Sequence, residues 1–504
     1  MRDIKPVVDF LQAHRMQQVD VLTNEGNESR YAAFFEKVSQ QELKTDTEAA
    51  AYLFNSTPSA PRFRKFKSLF KKKLLNTLLF VNEGHPRFPP HSRAIIQLER
   101  EHCAIQLLQH FGLLRIASRM AEKLLIRARK YEATAICRSL LKIIKHECAN
   151  VDGDEKKYAE LQQEFQTFYA LEQAENLALG YYEDIRLKFI NTSLSRRDLG
   201  KQALIYGKEL APLLSNYESC FFHFYTRLVQ ASGYMLQRDY ASVINVCQYG
   251  IEFFKSKPFE YHRGLTTLRS FILIGCIQLK QYDTGWQVSE ESLKLHKPGT
   301  RNWFNTLRIQ VHLALHCKEY SKAFDLFASA RKHRKFRTLP ERDQQVWNIY
   351  EAYLYFLLSI DQVTSKSVED LQAINRFRFQ KFLNSTTTVQ QDKKGYNIAI
   401  LVAQILILIA DDKHLKAIDR IEAISMYCYR HLHKDNDLYR ANCFLKALLE
   451  LPKSGFHHAA AVRKAKAHLK KLSDHGTERA VYNHEVEILP FEDAWDLLID
   501  QLKT

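Results

Sequence analysis

Glycine and proline are scarce in this chain. Its 504 residues hold 16 Gly and 12 Pro, well under the ~7% and ~5% of average proteins. That argues against Gly-rich phosphate loops and turn-rich β architectures, and it suits long helices joined by short connections. The nine Cys stand singly, with no C-x-x-C pair, so they read as buried thiols of a reduced compartment rather than a disulfide framework. The most apolar run, Ile398 to Ala410, is too short to span a bilayer and contains Gln404. The first residues, MRDIKPVVDFLQAHRM, lack the apolar core of a secretory signal. These absences predict a soluble cytoplasmic protein without a membrane span.

Motifs of catalysis are missing as well. The sequence has no H-E-x-x-H, G-x-S-x-G, Walker loop or kinase set. His457-His458 and His431-Leu432-His433 are its densest histidine groups, and neither has Cys or carboxylates at ligand spacing. Glu290-Glu291 and Asp411-Asp412 fall where caps or exposed turns are expected. Asp152-Gly153-Asp154 lies in the polar stretch Asn150 to Glu155, which reads as a linker; a calcium loop would need the ~12-residue EF-hand pattern and its closing Glu. No catalytic residue, cofactor, metal or small-molecule substrate is predicted.

What the chain does have is a repeat. Between Ala231 and Arg331 an apolar helix, a Tyr turn and a second helix recur three times, with turns Arg238-Asp239-Tyr240, Lys280-Gln281-Tyr282 and Lys318-Glu319-Tyr320. Val243, Gly285 and Ala323 stand three residues after each Tyr; Gly250, Ser292 and Ala330 stand ten after it. Small side chains there let paired helices approach closely. The tyrosines are 42 and 38 residues apart, a period of stacked helical hairpins, somewhat longer than the ~34 residues of a tetratricopeptide repeat. Ala323, Phe327 and Ala330 look like the second helix of that motif, while Cys247 and Ser289 replace its usual aromatic and its first-helix Trp is missing. Arg129-Lys130-Tyr131 reads as an earlier, degenerate copy of the turn.

The charge is lopsided: 73 Lys and Arg against 57 Asp and Glu, a net +16, which favours anionic partners. Three helices are expected between Ser29 and Val81. The second begins at Thr45, which with Glu48 has capping-box spacing, and uses Ala49, Ala50 and Ala51 for close packing. The third carries seven basic residues and no acid from Arg62 to Lys73. Its Phe63, Phe66, Phe70, Leu74 and Val81 form one stripe; Arg64, Lys65, Lys71 and Lys72 lie opposite. A helix-turn-helix reading follows, although the Asn55 to Pro61 loop exceeds the usual turn of ~3–4 residues. Further cationic patches stand at Arg331, Arg334 and Lys335, and at Arg463, Lys464, Lys466, Lys470 and Lys471, where Ala465, Ala467 and Leu469 leave a narrow apolar stripe. The end is acidic, from Glu485 to Asp500; Pro490 opens a helix there whose Trp495, Leu498, Ile499 and Leu502 cap the array or dock a partner.

The strings Asp392 to Leu401, Ala417 to Ala423, Arg440 to Phe444 and Pro490 to Trp495 resemble a family of uncharacterised bacterial tetratricopeptide-like proteins, with weaker similarity at Lys71 to Asn76. The resemblance implies a cytoplasmic helical-repeat protein with no assigned reaction, and brings no functional residues. Lys393, Gly395, Asn397 and Arg440 depart from ordinary repeats and are candidates for a binding site or a structural lock.

The expected architecture is all-α. A helical segment over 1–90, with its basic helix, precedes tetratricopeptide-like hairpins over 91–384 and further repeats with an acidic capping helix over 385–504, together an α-solenoid. Two functions are in play: a non-catalytic scaffold that binds another protein, or a nucleic-acid-associated protein whose basic helix tracks phosphates.

Overall fold

The structure, a computed structural model, describes residues 1–13, 28–79, 89–191, 196–364, 382, 396–427, 439–473 and 487–503. Among them the chain is all helical, with no strand, and no helix is long and apolar enough to cross a membrane. It forms two compact units, Met1–Glu172 and Gln173–Thr504.

The first unit opens with α1 (Lys5–Ala13), α2 (Glu28–Ser39), α3 (Asp46–Phe54) and α4 (Pro61–Leu78). The capping box forms: the Glu48 N–H donates to Thr45 Oγ1 at 3.2 Å, and the Thr45 N–H to Glu48 Oε2 at 3.0 Å. Ala49 and Ala50 are buried, but Ala51 is exposed and is not part of the packing side. Phe63, Phe66, Phe70 and Leu74 are buried as the helical stripe requires; Val81 lies outside the described residues. The core is aromatic. Tyr31 stacks on Phe66 with centroids 4.6 Å apart, and Phe34 meets Phe70 edge-on at 4.9 Å, each large ring contributing about 1.5–3 kcal/mol of burial. Next come α5 (Pro90–His110), α6 (Leu114–Lys130) and α7 (Thr134–Glu147), each packed on the next. The polar stretch expected to be a linker is a tight turn: a π turn over Cys148–Asp152, closed by Gly153 at φ 64°. From it runs α8 (Glu155–Asn191), 37 residues long, and the division between the units falls inside this helix.

In the second unit, α9 (Arg196–Leu210), α10 (Cys220–Leu236), α11 (Tyr240–Lys255), α12 (His262–Gln278), α13 (Tyr282–Leu295), α14 (Arg301–His316), α15 (Tyr320–Lys332) and α16 (Glu341–Ser359) pack each against the next. First helices also touch across a repeat, α10 on α12 and α12 on α14. This is the sequential, solenoid-like packing that the repeat predicts.

One backbone device makes the hairpins. Arg238, Lys280 and Lys318 sit in the left-handed region at φ 63°, 56° and 61°. The next residue's N–H then reaches the carbonyl five positions back, as from Asp239 to Tyr234 at 3.0 Å and from Gln281 to Cys276 at 2.8 Å. This Schellman closure satisfies the helix-end carbonyls. Val243, Gly285, Ala323, Gly250, Ser292 and Ala330 are all buried. The first unit uses the same device in a different register from the one expected. Glu132, not Arg129, takes the left-handed turn at φ 53°, and the next helix starts at Thr134. Tyr131 therefore precedes the turn, whereas Tyr240 follows its own. The resemblance of Arg129-Lys130-Tyr131 to the later turns is a coincidence of composition, because the turn is defined by φ and not by the Tyr.

The chain closes with α17 (Tyr396–Ala410), α18 (His414–Tyr427), α19 (Tyr439–Leu448), α20 (Glu450–Lys453), α21 (His458–Ser473) and α22 (Phe491–Asp500). Ile398, Ala399, Ile400 and residues 402–409 of α17 are all buried, and Ala417 of α18 is fully buried against it. The side chain of Ala423 lies outside the described residues, as do Lys393, Gly395, His431 and His433. Ala467 is exposed; the inward stripe of α21 is Ala461, Ala465 and Leu472. Pro490 stands at the N-cap of α22, and Trp495, Leu498 and Ile499 are buried against α17 and α21. The apolar face of this last helix is thus occupied within the chain.

Candidate anionic-partner interface

Helix α4 is amphipathic because its aromatic side chains recur every three or four residues, which puts its cations on the other side. Its inner flank is neutralised within the unit. Lys67 Nζ donates to Asp46 at 2.8 Å and Lys71 Nζ to Asp3 at 2.7 Å. The ammonium of Lys73 lies 5.5 Å from the centre of the Tyr31 ring. The outer face differs. Arg62, Arg64, Lys65 and Lys72 are exposed and form no ion pair with a described residue. Between them, and just past the helix end, stand Leu69, Leu75 and Leu79, 43%, 47% and 51% exposed. Sequence reasoning missed these leucines. Periodicity identified the strong Phe stripe as the core, and nothing in the pattern marks weaker apolar residues off that stripe as uncovered.

The Arg331 patch is partly spent on the fold. Arg331 Nη2 lies 3.5 Å from Glu351 Oε2, and its guanidinium sits over Phe336 at 4.9 Å. Burial pushes the Glu351 carboxyl above its usual range, and Arg331 pulls it back only partly. His333 packs on Trp303 and Phe304, and its Nδ1 accepts the Lys335 N–H at 3.2 Å. Arg334 is exposed and Lys335 half-buried. On α21, Arg463, Lys464 and Lys470 are exposed, and Lys464 Nζ donates to the Lys453 carbonyl at 2.6 Å. Helix α15 packs on α14 and α16, and α21 on α19, α20 and α22, so these two patches ride on separate helix groups.

Between Arg62 and Lys145 the sequence carries nineteen Lys and Arg against five Asp and Glu. Part of that excess is compensated on folding. Arg127 pairs with Glu101 at 2.6 Å and Arg129 with Glu164 at 2.6 Å, and Arg138 pairs with Glu172. The outer face of α4 has no such acids among the described residues. Among the described residues no group of three His, Cys, Asp or Glu is placed to hold a metal ion.

No family model, no curated protein and no solved structure matches this chain.

Proposed function

We propose that the protein is a non-catalytic helical-repeat scaffold that binds another protein, with the outer face of α4 as a principal contact. The observation that carries this reading is the mixture on that face: four unpaired cations, three exposed leucines and no acid. Cations set charge complementarity and steer the encounter. The leucines need an apolar counterpart, which an acidic protein segment offers and a phosphate backbone does not. A helix that lies in a membrane surface separates its apolar and cationic faces; here the apolar face is already used in the core and the leucines are interspersed with the cations. Further apolar side chains, Leu107, Phe111, Leu113 and Leu114, are exposed around the α5–α6 turn and suit the same role. We also read the chain as a cytoplasmic bacterial protein of the tetratricopeptide-like family; its sequential hairpins support the helical-repeat part of that reading.

The test is co-purification from nuclease-treated cell extract. The wild-type chain is expected to recover a protein in stoichiometric amount, and Leu75→Ser/Leu79→Ser and Lys65→Glu/Lys72→Glu chains of unchanged helicity to lose it. Equal recovery by all three removes α4 from the reading.

The second reading is nucleic-acid association. The unpaired Arg62, Arg64 and Lys65 at the start of a helix favour it, since phosphates are held there. Affinity for bulk DNA or RNA would then fall steeply from about 50 to about 200 mM salt; a flat response excludes it.

A further inference from the structure

Arg227 on α10 is a largely buried guanidinium with no acid beside it among the described residues. Its stem lies across Gly250 of α11, where an added Cβ would stand 3.2 Å from Arg227 Cγ. Nη1 donates to Gln230 Oε1 at 3.1 Å, while Nε is buried and has no hydrogen-bond partner. The guanidinium carbon is 6.0 Å from the centre of the Tyr249 ring, which is 69% exposed. Burial lowers the Arg227 pKa, and the ionisable groups that act on it are Cys247 and Tyr249, with no carboxylate among them. An arginine in that position is normally paired, because leaving a buried charge uncompensated is costly.

The repeat itself indicates what is missing. Arg227 stands eleven residues before the left-handed Arg238, and Arg269 eleven before the equivalent Lys280. Twenty-two residues after each arginine come Tyr249 and Glu291 respectively. In this next copy Arg269 Nη2 donates to Glu291 Oε2 at 2.8 Å. In the third copy the same two places hold Leu307 and Ser329, and the charge is gone from both. Only the α10–α11 copy keeps the arginine and puts an exposed aromatic ring where its acid would be.

We propose that Arg227 and Tyr249 form a receptor for a carboxylate carried by a partner protein, an Asp or Glu side chain of an acidic segment lying across α10 and α11. The guanidinium supplies a planar donor fork that matches a carboxylate, and Tyr249 supplies a rigid ring for the neighbouring side chain. The inference rests on the scaffold reading but uses a face distinct from α4.

The first test needs no partner. Tyr249→Glu should raise the thermal midpoint above that of Tyr249→Gln, and the difference should vanish when Arg227→Gln is added to both. Equal midpoints for Tyr249→Glu and Tyr249→Gln overturn the proposal, because the site would then not accept a carboxylate even when one is tethered beside it. The second test is fluorescence anisotropy of the full chain with blocked twelve-residue peptides of Glu, Ala and Leu, and with their Gln-for-Glu counterparts. The Glu peptides should bind, and Arg227→Gln, Tyr249→Glu or the Gln peptides should weaken binding by about tenfold or more, the worth of one charge-assisted hydrogen bond. Lys65→Glu/Lys72→Glu should leave it intact. Loss of binding only in that α4 double variant supports the α4 face and overturns this site, as does equal binding of Glu and Gln peptides or no binding of either. Arg227-dependent binding of a single-stranded oligonucleotide in place of the peptides also overturns it.

Discussion

Arg440 and Glu487 form a two-pronged ion pair inside the second unit, Nε to Oε1 at 2.9 Å and Nη2 to Oε2 at 3.0 Å, with the two residues 2% and 1% exposed. Arg440 also donates to the Leu472 carbonyl at 2.6 Å and to Glu492 at 2.6 Å. The backbone carbonyl of Glu487 accepts from His316 Nε2 at 2.9 Å, which ties α14 to the segment entering α22. Of the two roles open to Arg440, binding site or structural lock, this geometry is that of a lock: its fork is used entirely within the chain.

Arg440→Met should therefore destabilise the second unit by about 3–5 kcal/mol, because it leaves the Glu487 charge buried and unpaired. The paired change Arg440→Met/Glu487→Leu should recover a large part of the loss. All four Trp, at 286, 303, 347 and 495, lie in the second unit, so urea unfolding followed by Trp fluorescence reads that unit alone. Equal losses in the single and double variants would show that the pair does not act as described.

Helical glycines should separate into two kinds. A Cβ at Gly275 would lie 2.8 Å from Ile244 Cγ1 and 3.4 Å from the Tyr240 carbonyl oxygen, where α12 crosses α11, so Gly275→Ala should cost about 1–3 kcal/mol through overpacking. Gly180, inside α8, has open space at its Cβ, and Gly180→Ala should gain about 1 kcal/mol of helix propensity. Denaturant midpoints of the two variants check both signs.

Asp361 stands at φ 57° after the C-cap of α16. A left-handed residue costs roughly 1–2 kcal/mol unless it is Gly or, less so, Asn or Asp. Asp361→Gly should raise the unfolding midpoint and Asp361→Val should lower it, with no buried contact changed in either case. A lower midpoint for the Gly variant would contradict this account of the turn.

His223 is stacked on Phe253 with ring centres 3.5 Å apart. Burial, and after it the neighbouring Arg227, pushes its pKa down to about 4 from an ordinary 6.5; burial does the same to His296, also to about 4. The unfolded imidazoles take up protons near pH 6.5 and the folded ones only near 4, so the unfolded state binds more protons between these values. Stability present above pH 6.5 should decline as the pH falls toward 4. His223→Phe keeps the stacked ring but cannot titrate, and its stability should fall less steeply over that window. Parallel curves for variant and wild type would count against a neutral, buried His223.

The sequence by itself determined the helical architecture, the hairpin period and many of the inward positions, though not Ala51 or Ala467, which are exposed. Val243, Gly285 and Ala323 were legible because a paired helix demands a small side chain at a fixed distance from the turn, and Phe63, Phe66 and Phe70 because apolar residues at helical spacing seek one side. What it could not decide was everything that depends on a neighbour distant in the chain. Glu132 rather than Arg129 makes the early turn because left-handed φ is open to many residue types at a modest cost, and no residue name announces it. Leu69, Leu75 and Leu79 are left exposed by the described helices, and the local pattern of α4 carries no record of that. Arg440 meets Glu487 across 47 residues, and Arg227 lacks the acid that Arg269 has. Charges at such separations are matched or left unmatched only when packing sets their distance, and tertiary structure alone supplies that.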